Sequence, residues 1–465
     1  MVQPASAPLE GPALFSWGQT TAFGLAPYRY LRHCQRRFGD THRLQLAGMG
    51  EMVLYSAPDD VQAVFSLKAA EYENGNDPVR YLLDPRSVVF LEGEAHRRAR
   101  KALTPPFAGR ALRGYAPRFV ESAERVSAGW RAGQTIDLTA AFQQVTFDAL
   151  MGATLGMGTA DCPAPLRAEL LRFVSGQLSS GMFFASAVMG PSLYARLRAQ
   201  TDAAKAALRD DRPLTGRTPL AGRAHNLARV EVWLADLVAA RRADPVQGPD
   251  ALSRLIAEGD AYSDTDVVHQ LLTLLIAGHD TTSLALSWVA SQLMARPALL
   301  QRVVDEALAC EAPEQAESAA VALPLLHAVV QESLRLTPGA AIAPRRLCVD
   351  KEIAGECIPA GTVVAANVVG AHSRAETWGD PDVFRPERFL GITPPSNTFF
   401  PFGGGLRRCL GAAFASTEMP LVLAVLLRGW ALSPVTSRAP TPAVHGFLIG
   451  PARHVRARVQ PRGRP

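Results

Sequence analysis

The sequence predicts a mainly α-helical protein with a small β region, folded as one domain over residues 1–465. One long apolar stretch, residues 264–296, begins at a capping signal and stops before a proline, as a helix does. At about 1.5 Å per residue it is long enough to cross the whole molecule. Strand-like alternation is confined to short segments, whereas most of residues 111–210 have helical character. The hydrophobic fraction of 48% supports a large core.

Charge and cysteine content argue against several classes of function. Lys and Arg number 48 against 43 Asp and Glu, without a basic tail, so we expect no nucleic-acid partner. The six cysteines form no CxxC pair, which does not favour a zinc site or a disulfide framework and fits a reducing cytosol. Residues 1–20 contain no run of about 20 apolar residues. We therefore expect a cytoplasmic monomer without a membrane span.

The shorter elements follow from local patterns. Proline and glycine predict loops at residues 74–93 and 212–224. Two β-hairpins are expected near the C-terminal half: one joins residues 349–353 to 362–366, and one has its tip at residues 444–448. The helices and strands expected from periodicity in the remaining chain lie at residues 27–38, 41–46, 52–55, 58–67, 94–103, 229–242, 325–336 and 410–427.

The middle of the long helix reads Ala277-Gly278-His279-Asp280-Thr281-Thr282. Polar groups inside an apolar helix are costly unless they are paired or useful. Gly278 and Thr281 also weaken the helix locally, because glycine lacks a side chain and the threonine hydroxyl competes for backbone hydrogen bonds. The segment is therefore either a functional groove or a notch that faces solvent.

A glycine-rich loop, residues 402–411, holds Cys409 directly before the apolar run. A cysteine at a helix N-terminus has its thiolate favoured by the helix dipole, and Arg407 and Arg408 add positive charge. The glycines let the backbone turn tightly or approach a flat object. The loop predicts an activated, partly enclosed thiolate, and a buried structural cysteine is the alternative.

The spacing Phe402-x-x-Gly-x-Arg-x-Cys409-x-Gly411 resembles the haem-binding loop of the cytochromes P-450 of soluble bacterial type, with every fixed position present. The resemblance covers nearly the whole chain. It implies that Cys409 ligates the iron of haem b, which lies between the long central helix and the helix after the cysteine. The central segment is similar to the family's oxygen-binding groove. That similarity implies that Thr281 binds dioxygen and a water, that Asp280 helps to deliver protons, and that His279 has no assigned role.

The resemblance also implies residues that hold the haem and its loop. His96 and Arg100 share one helix face, which suits two propionates, although a solvated basic face is the alternative. Arg345 is the matching propionate ligand, and Arg346 replaces it if the register slips by one. The implied haem-binding residues are His96, Arg100, Arg345, Arg407, Phe402, Gly411 and Ala277. The family's Glu-x-x-Arg pair and its third partner, a structural clamp for folding and haem retention, are matched by Glu332, Arg335 and Arg388.

The implied activity is the insertion of one oxygen atom from O2 into a lipophilic molecule, by hydroxylation or epoxidation. Electrons would come from a separate ferredoxin or flavodoxin with its reductase. A mostly apolar pocket wall favours a neutral terpenoid-like or polyketide-like substrate, with a fatty acid next. Alternatives are a peroxygenase or isomerase without a redox partner, which the Asp-Thr pair argues against, a non-catalytic haem-binding protein, and a membrane-bound oxygenase. The expected pocket residues are Tyr81, Leu82, Val88, Phe90, Phe183, Leu274, Ala341, Ile342, Phe447 and Leu448.

Overall fold

A computed structural model describes residues 9–75, 80, 83–158, 161–162, 164–175, 185, 189, 191–216, 218–245, 247–316 and 318–463. Of the expected pocket residues, Tyr81, Leu82 and Phe183 lie outside the described residues. The described helices, in chain order, are α1 Ser16–Leu25, α2 Pro27–Phe38, α3 Pro58–Phe65, α4 Gly93–Leu103, α5 Gly109–Ser127, α6 Leu138–Leu155, α7 Ala164–Ser175, α8 Pro191–Arg209, α9 Pro219–Ala243, α10 Ala251–Ala257, α11 Asp264–Met294, α12 Pro297–Ala309, α13 Ala319–Ala322, α14 Pro324–Leu336, α15 Val368–Ala371, α16 Ala375–Trp378 and α17 Ala412–Gly429.

The strands form a small β region beside the helices, as predicted. They are β1 Thr41–Leu46, β2 Gly50–Tyr55, β3 Tyr72–Asn74, β4 Thr135–Asp137, β5 Ile342–Leu347, β6 Lys351–Ile353, β7 Glu356–Ile358, β8 Val363–Asn367, β9 Trp430–Pro434, β10 Pro442–His445, β11 Leu448–Pro451 and β12 Arg456–Pro461. The largest sheet has the order β1-β2-β8-β5-β3, and β4-β12-β9 form a second one. In the largest sheet β2 and β8 run parallel, with Leu54 opposite Ala365, and every other pair is antiparallel.

The 31-residue helix α11 is the centre of the helical region, and it packs against α6, α7, α9, α14 and α17. It begins at a capping box, in which the backbone N–H of Asp266 donates to Ser263 Oγ and that of Ser263 donates to Asp266. The helix ends at Met294, two residues before the predicted end, because Arg296 caps the next helix and Pro297 occupies its first turn. Pro297 therefore starts α12 as well as stopping α11.

Two local expectations are wrong. The segment Val363–Asn367 does not pair with Lys351–Ile353, but joins the largest sheet between β2 and β5. Strand β6 pairs with Glu356–Ile358 through a turn at Ala354 and Gly355, which have φ of 57° and 76°. A turn with two left-handed residues matches the twist of a hairpin, and a glycine at one of them makes it accessible. The short strand β7 was missed because the Pro-Ala-Gly sequence after it is the stronger turn signal.

The predicted loop at residues 212–224 is helical in its second half. Helix α9 begins at Pro219, with Thr218 Oγ1 accepting from the backbone N–H of Ala221. Proline in the first helical turn loses no hydrogen bond, so its presence marked the start of a helix rather than a loop. The loop hypothesis therefore fails beyond residue 218.

One described helix, α17, has the length and apolar composition of a membrane span. It lies in the interior of the helical region, with 61% of the span buried, and it contacts α5, α12 and α14. Its apolar character is thus used in the protein core, where Phe414 packs edge-on against Phe107, Tyr115 and Phe119.

Candidate active site

The glycines of the cysteine loop are required by packing against α3. A Cβ atom on Gly404 would lie 2.3 Å from the Phe65 ring, and one on Gly405 would lie 2.1 Å from the Phe65 carbonyl oxygen. Gly405 also has a φ of 63°, which L-residues rarely adopt. The loop is closed by the Cys409 N–H, which donates to the Phe402 carbonyl over 2.9 Å. These contacts fix the backbone around the cysteine before any ligand is considered.

Cys409 is exposed although the loop that holds it is closely packed against α3, so the residue is open to a ligand. Burial raises the pKa of the Cys409 thiol, and the Gly411 N–H and the guanidiniums of Arg100 and Arg408 offset only part of this. Desolvation thus opposes the thiolate while the nearby positive charge favours it, and the activated thiolate stays a prediction. A coordinated metal cation deprotonates a cysteine outright, so ligation would keep Cys409 a thiolate despite this desolvation.

Four predicted propionate ligands meet beside this loop. Burial, with the charges of Arg407, Arg100 and Arg345, lowers the pKa of His96 to about 4, so its imidazole is neutral at pH 7. Arg345 is 5% exposed, stacks on the Tyr72 ring and donates to the Gly404 carbonyl over 3.2 Å. Arg100 donates to the Arg408 carbonyl over 2.8 Å. Converging guanidiniums in a buried site repel each other unless an anion joins them.

Arg407 has one partner that the sequence did not reveal. Its guanidinium pairs with Glu92, directly before α4, and donates to the Val89 carbonyl over 3.1 Å. The Nε atom of Arg407 is buried and has no hydrogen-bond partner among the described residues. The cluster of Arg100, Arg345 and Arg407 is balanced by the single carboxylate of Glu92 and keeps an unfilled donor. This excess of positive charge fits the two carboxylates of haem b. Arg346, the alternative to Arg345, instead lies near Glu73 and donates to the Gly361 carbonyl.

Helix α11 presents one face of its middle to open space. Ala277 is exposed and Thr281 is half-buried, whereas Ile276, Asp280 and Thr282 are buried. Thr281 Oγ1 donates to the Ala277 carbonyl over 2.8 Å, so the hydroxyl proton is used and the oxygen lone pairs remain. Thr281 can thus accept a hydrogen bond from a water or a protonated ligand in that space. Ala277, without a long side chain, leaves room for it.

The opposite face of this segment packs against α6. A Cβ atom on Gly278 would lie 2.8 Å from Leu150, so the glycine allows the two helices to approach closely. His279 is fully buried, lies edge-on to Phe147, and has Nδ1 3.4 Å from Thr146 Oγ1. Burial lowers its pKa to about 3, so it is neutral at pH 7. The variable position of the motif is thus a packing position.

Asp280 lies in the same interface between α6 and α11. Gln143 Nε2 donates to its Oδ1 over 3.2 Å, and its side chain is 7% exposed. Burial raises the pKa of Asp280 to about 6, and the Gln143 hydrogen bond lowers it in part. Sequence reasoning missed Gln143, although Thr139, Gln143 and Thr146 form a polar stripe at i, i+4 and i+7 on an apolar helix. Such a stripe signals buried polar partners on a facing helix.

The three clamp residues come together. Arg335 donates from Nε and Nη2 to the two oxygens of Glu332 at 2.7 Å each, and both side chains are fully buried. Arg388 Nε lies 3.6 Å from Glu332, and the Arg385 N–H donates to the same carboxylate at 2.8 Å. The remaining Arg335 donors reach the carbonyls of His372, Pro381 and Val383. The clamp therefore ties α14 to the segment before the cysteine loop.

The described pocket residues divide between two parts of the core. Val88, Phe90 and Leu274 belong to the large helical cluster. Ala341 and Ile342 pack in the cluster between the sheet and α11. Hairpin β10–β11 reaches the same region, since the Ile449 N–H donates to the Gly339 carbonyl and Gly450 abuts Leu284. At its tip Leu448 is 3% exposed, whereas Phe447 is 36% exposed.

The family model described as "Cytochrome P450" matches residues 6–209 and 219–455. The "Putative cytochrome P450 135B1" of Mycobacterium tuberculosis is 31% identical over 97% of this chain and 91% of its own length. The same organism's "Putative cytochrome P450 135A1" is 28% identical over 98% and 95%, and its "Putative cytochrome P450 138" is 28% identical over 92% and 90%.

Proposed function

This chain belongs to the cytochrome P450 family, and we propose that it inserts one atom of O2 into a neutral lipophilic molecule with electrons from a separate ferredoxin or flavodoxin. The family consists of haem-thiolate oxygenases that bind haem b. When bound, the haem supplies the redox chemistry that activates dioxygen. The roles of the individual residues below are our proposals.

The observation that carries the proposal is the donor set around the accessible sulfur of Cys409. Cys409 would hold the iron, and Arg100, Arg345, Arg407 and neutral His96 would hold the propionates. The arginines supply charge-assisted hydrogen bonds, whereas His96 donates one as a neutral ring. The buried unpaired Nε of Arg407 is the donor that such an anion would satisfy. No other group of the described chain offers a thiol with so many cations beside it.

Thr281 and Asp280 would orient and transfer protons at the site. Thr281 Oγ1, with its proton held by the Ala277 carbonyl, is an acceptor that can orient a water or protonated oxygen species. Burial raises the pKa of Asp280 to about 6, which suits a group that gives and receives protons at neutral pH. This intact pair favours an oxygenase that uses NADPH-derived electrons over a peroxygenase or isomerase.

The ion pairs of Arg86 favour a neutral substrate; Arg86 and Arg80 are the two cations of the loop predicted at residues 74–93. Arg86 lies 3.4 Å from Asp84 and 3.5 Å from Asp266, so it is already neutralised by carboxylates. Arg80, the other, stacks on the Phe90 ring at 5.0 Å. Burying a substrate carboxylate without a free cation is costly. A terpenoid-like or polyketide-like compound is therefore preferred, with a fatty acid next.

Two measurements test the proposal. Reduced protein with CO should show the red-shifted Soret band of thiolate ligation, and Cys409→His should lose it; retention of the band would remove Cys409 from the iron. Spectral titration should then show low-to-high-spin shifts with limonene or a macrolide aglycone and weaker shifts with dodecanoate. Binding of dodecanoate alone, abolished by Arg80→Ala, would contradict a neutral substrate.

A further inference from the structure

The interface between α6 and α11 contains a row of neutral polar contacts. Thr139 Oγ1 lies 2.9 Å from Ser287 Oγ, Gln143 Nε2 donates to Asp280, and Thr146 Oγ1 lies 3.4 Å from the His279 ring. The three α6 residues share one face, because they are spaced at i, i+4 and i+7. Asp280 is thus the one carboxylate in a row of hydroxyls, an amide and an imidazole.

The charged groups around Asp280 leave it without a cationic partner. On α11 the adjacent titratable group is His279, with Nε2 3.7 Å from Oδ1, and its ring is neutral at pH 7. On α6 the only ionisable side chain is Asp148, which pairs with Arg125 and Arg167 elsewhere. Within the described chain, no guanidinium or ammonium group lies within 4 Å of the Asp280 carboxylate. A cation there would hold the carboxylate ionised, whereas the neutral amide stabilises the charged form only in part.

Resting on the function proposed above, we propose that Gln143 is a positioning residue for the proton-delivering carboxyl of Asp280, which its amide holds in the interface between α6 and α11. Gln143 is half-buried and the next residue, Gln144, is exposed, so Gln143 lies at the outer edge of this interface. Gln143 therefore lies between solvent and Asp280. Asp280 is followed in the chain by Thr281, and Thr281 lies on the accessible face of α11. Gln143 itself transfers no proton; it fixes the orientation of the acid.

The pKa of Asp280 supports this geometry. Burial raises it to about 6, and the amide of Gln143 is the group that lowers it by stabilising the carboxylate. Loss of the amide donor should therefore raise the pKa further and free the carboxyl to adopt other rotamers. The loss of orientation impairs a proton-delivery step, because efficient transfer requires a fixed geometry. The rise in pKa is a separate sign that the contact with Gln143 has been lost.

The test uses the haem-loaded protein and Gln143→Met, which keeps the length of the side chain but removes the donor. The first readout is difference infrared spectroscopy of the protonated carboxyl band, assigned by its loss in Asp280→Asn. Its pH midpoint should be about 6 in the wild type and higher in Gln143→Met. Gln144→Met, an exposed neighbour on the same helix, is the matched control and should leave the midpoint unchanged.

The second readout is the amount of product formed per NADPH consumed. The substrate is whichever of limonene, the macrolide aglycone and dodecanoate gives the largest spin-state shift. We expect a fall of about tenfold in Gln143→Met, since small misplacements of reacting groups cost one to two orders of magnitude. A midpoint and a yield equal to those of Gln144→Met would overturn the proposal. If Gln143→Met does not fold, Gln143→Glu places a second carboxyl beside Asp280, and an unchanged midpoint there would overturn it equally.

The two readouts separate this inference from the proposed function. The infrared midpoint depends on the contact between Gln143 and Asp280, not on turnover. A wild type without NADPH-dependent product would refute the oxygenase function, and a midpoint that still shifts in Gln143→Met would nevertheless support the positioning role. Normal turnover in the wild type with no effect of Gln143→Met would refute the positioning role alone.

Discussion

Replacing Glu332 by alanine should cost about 4 kcal/mol of the free energy of unfolding. Glu332 and Arg335 are both fully buried and share two hydrogen bonds of 2.7 Å. Removing one partner of a buried ion pair costs about 3–5 kcal/mol, because the other charge is left uncompensated. The Arg385 N–H also loses its acceptor, while three backbone carbonyls still accept hydrogen bonds from Arg335. Typical domains are stable by about 5–15 kcal/mol, so the variant should also be poor in haem.

The assay is urea unfolding followed by circular dichroism, with the midpoints compared at constant slope. The matched control is Glu387→Ala in the same region, whose pair with Arg302 spans 2.9 Å but is about half exposed on each side. That exposed pair should contribute about 0–1 kcal/mol. Glu332→Gln separates the loss of charge from the loss of volume. If Glu332→Ala and Glu387→Ala unfold within 1 kcal/mol of each other, the clamp does not stabilise the protein.

Three further outcomes are expected. Thr281→Ala should keep substrate binding but divert NADPH electrons into peroxide, and an unchanged product-to-NADPH ratio would exclude Thr281 from oxygen activation. Burial raises the pKa of Glu418, whose Oε1 has no partner among the described residues, from 4.5 to about 8. The contribution of Glu418 to the free energy of unfolding is full below pH 4.5 and is lost as the pH rises through 8. At about 1.4 kcal/mol per pKa unit, the stability lost is at most about 5 kcal/mol. Glu418→Gln should remove this pH-dependent loss of stability. Equal pH profiles of urea midpoints would contradict this. Reduction by an acidic ferredoxin should slow as salt rises, since Arg97, Arg98 and Arg408 are exposed; a rate constant independent of salt would count against a basic docking face.

Local signals explain what the sequence could predict. The spacing around Cys409, the i, i+3 pair Glu332 and Arg335, and the cap at Ser263 each lie within about ten residues, so one short segment contains the whole signal. The helix-rich fold class follows from periodicity in the same way. The structure brings the clamp residues together and places Arg345, rather than Arg346, beside His96 and Arg407.

Distant partners explain the failures. Strand β8 pairs with β2, which lies more than 300 residues earlier in the chain. No local sequence pattern near Val363 indicates that pairing. Gln143 and Asp280 are 137 positions apart, so the amide next to the acid could be found only after the helices were packed. Desolvation of the Cys409 thiol is likewise absent from the sequence signal, because burial is a property of the assembled fold whereas the neighbouring arginines are visible in the sequence.

The clamp also has a consequence for the order of folding. Arg335 obtains three of its acceptors from residues 37, 46 and 48 positions later in the chain. Until that later segment docks, helix α14 cannot bury this guanidinium without losing its hydration, which is costly. Burial of α14 and docking of the segment before the cysteine loop must therefore occur together. We therefore expect haem retention to depend on this joint closure, and Glu332→Gln should weaken both the burial of α14 and haem binding.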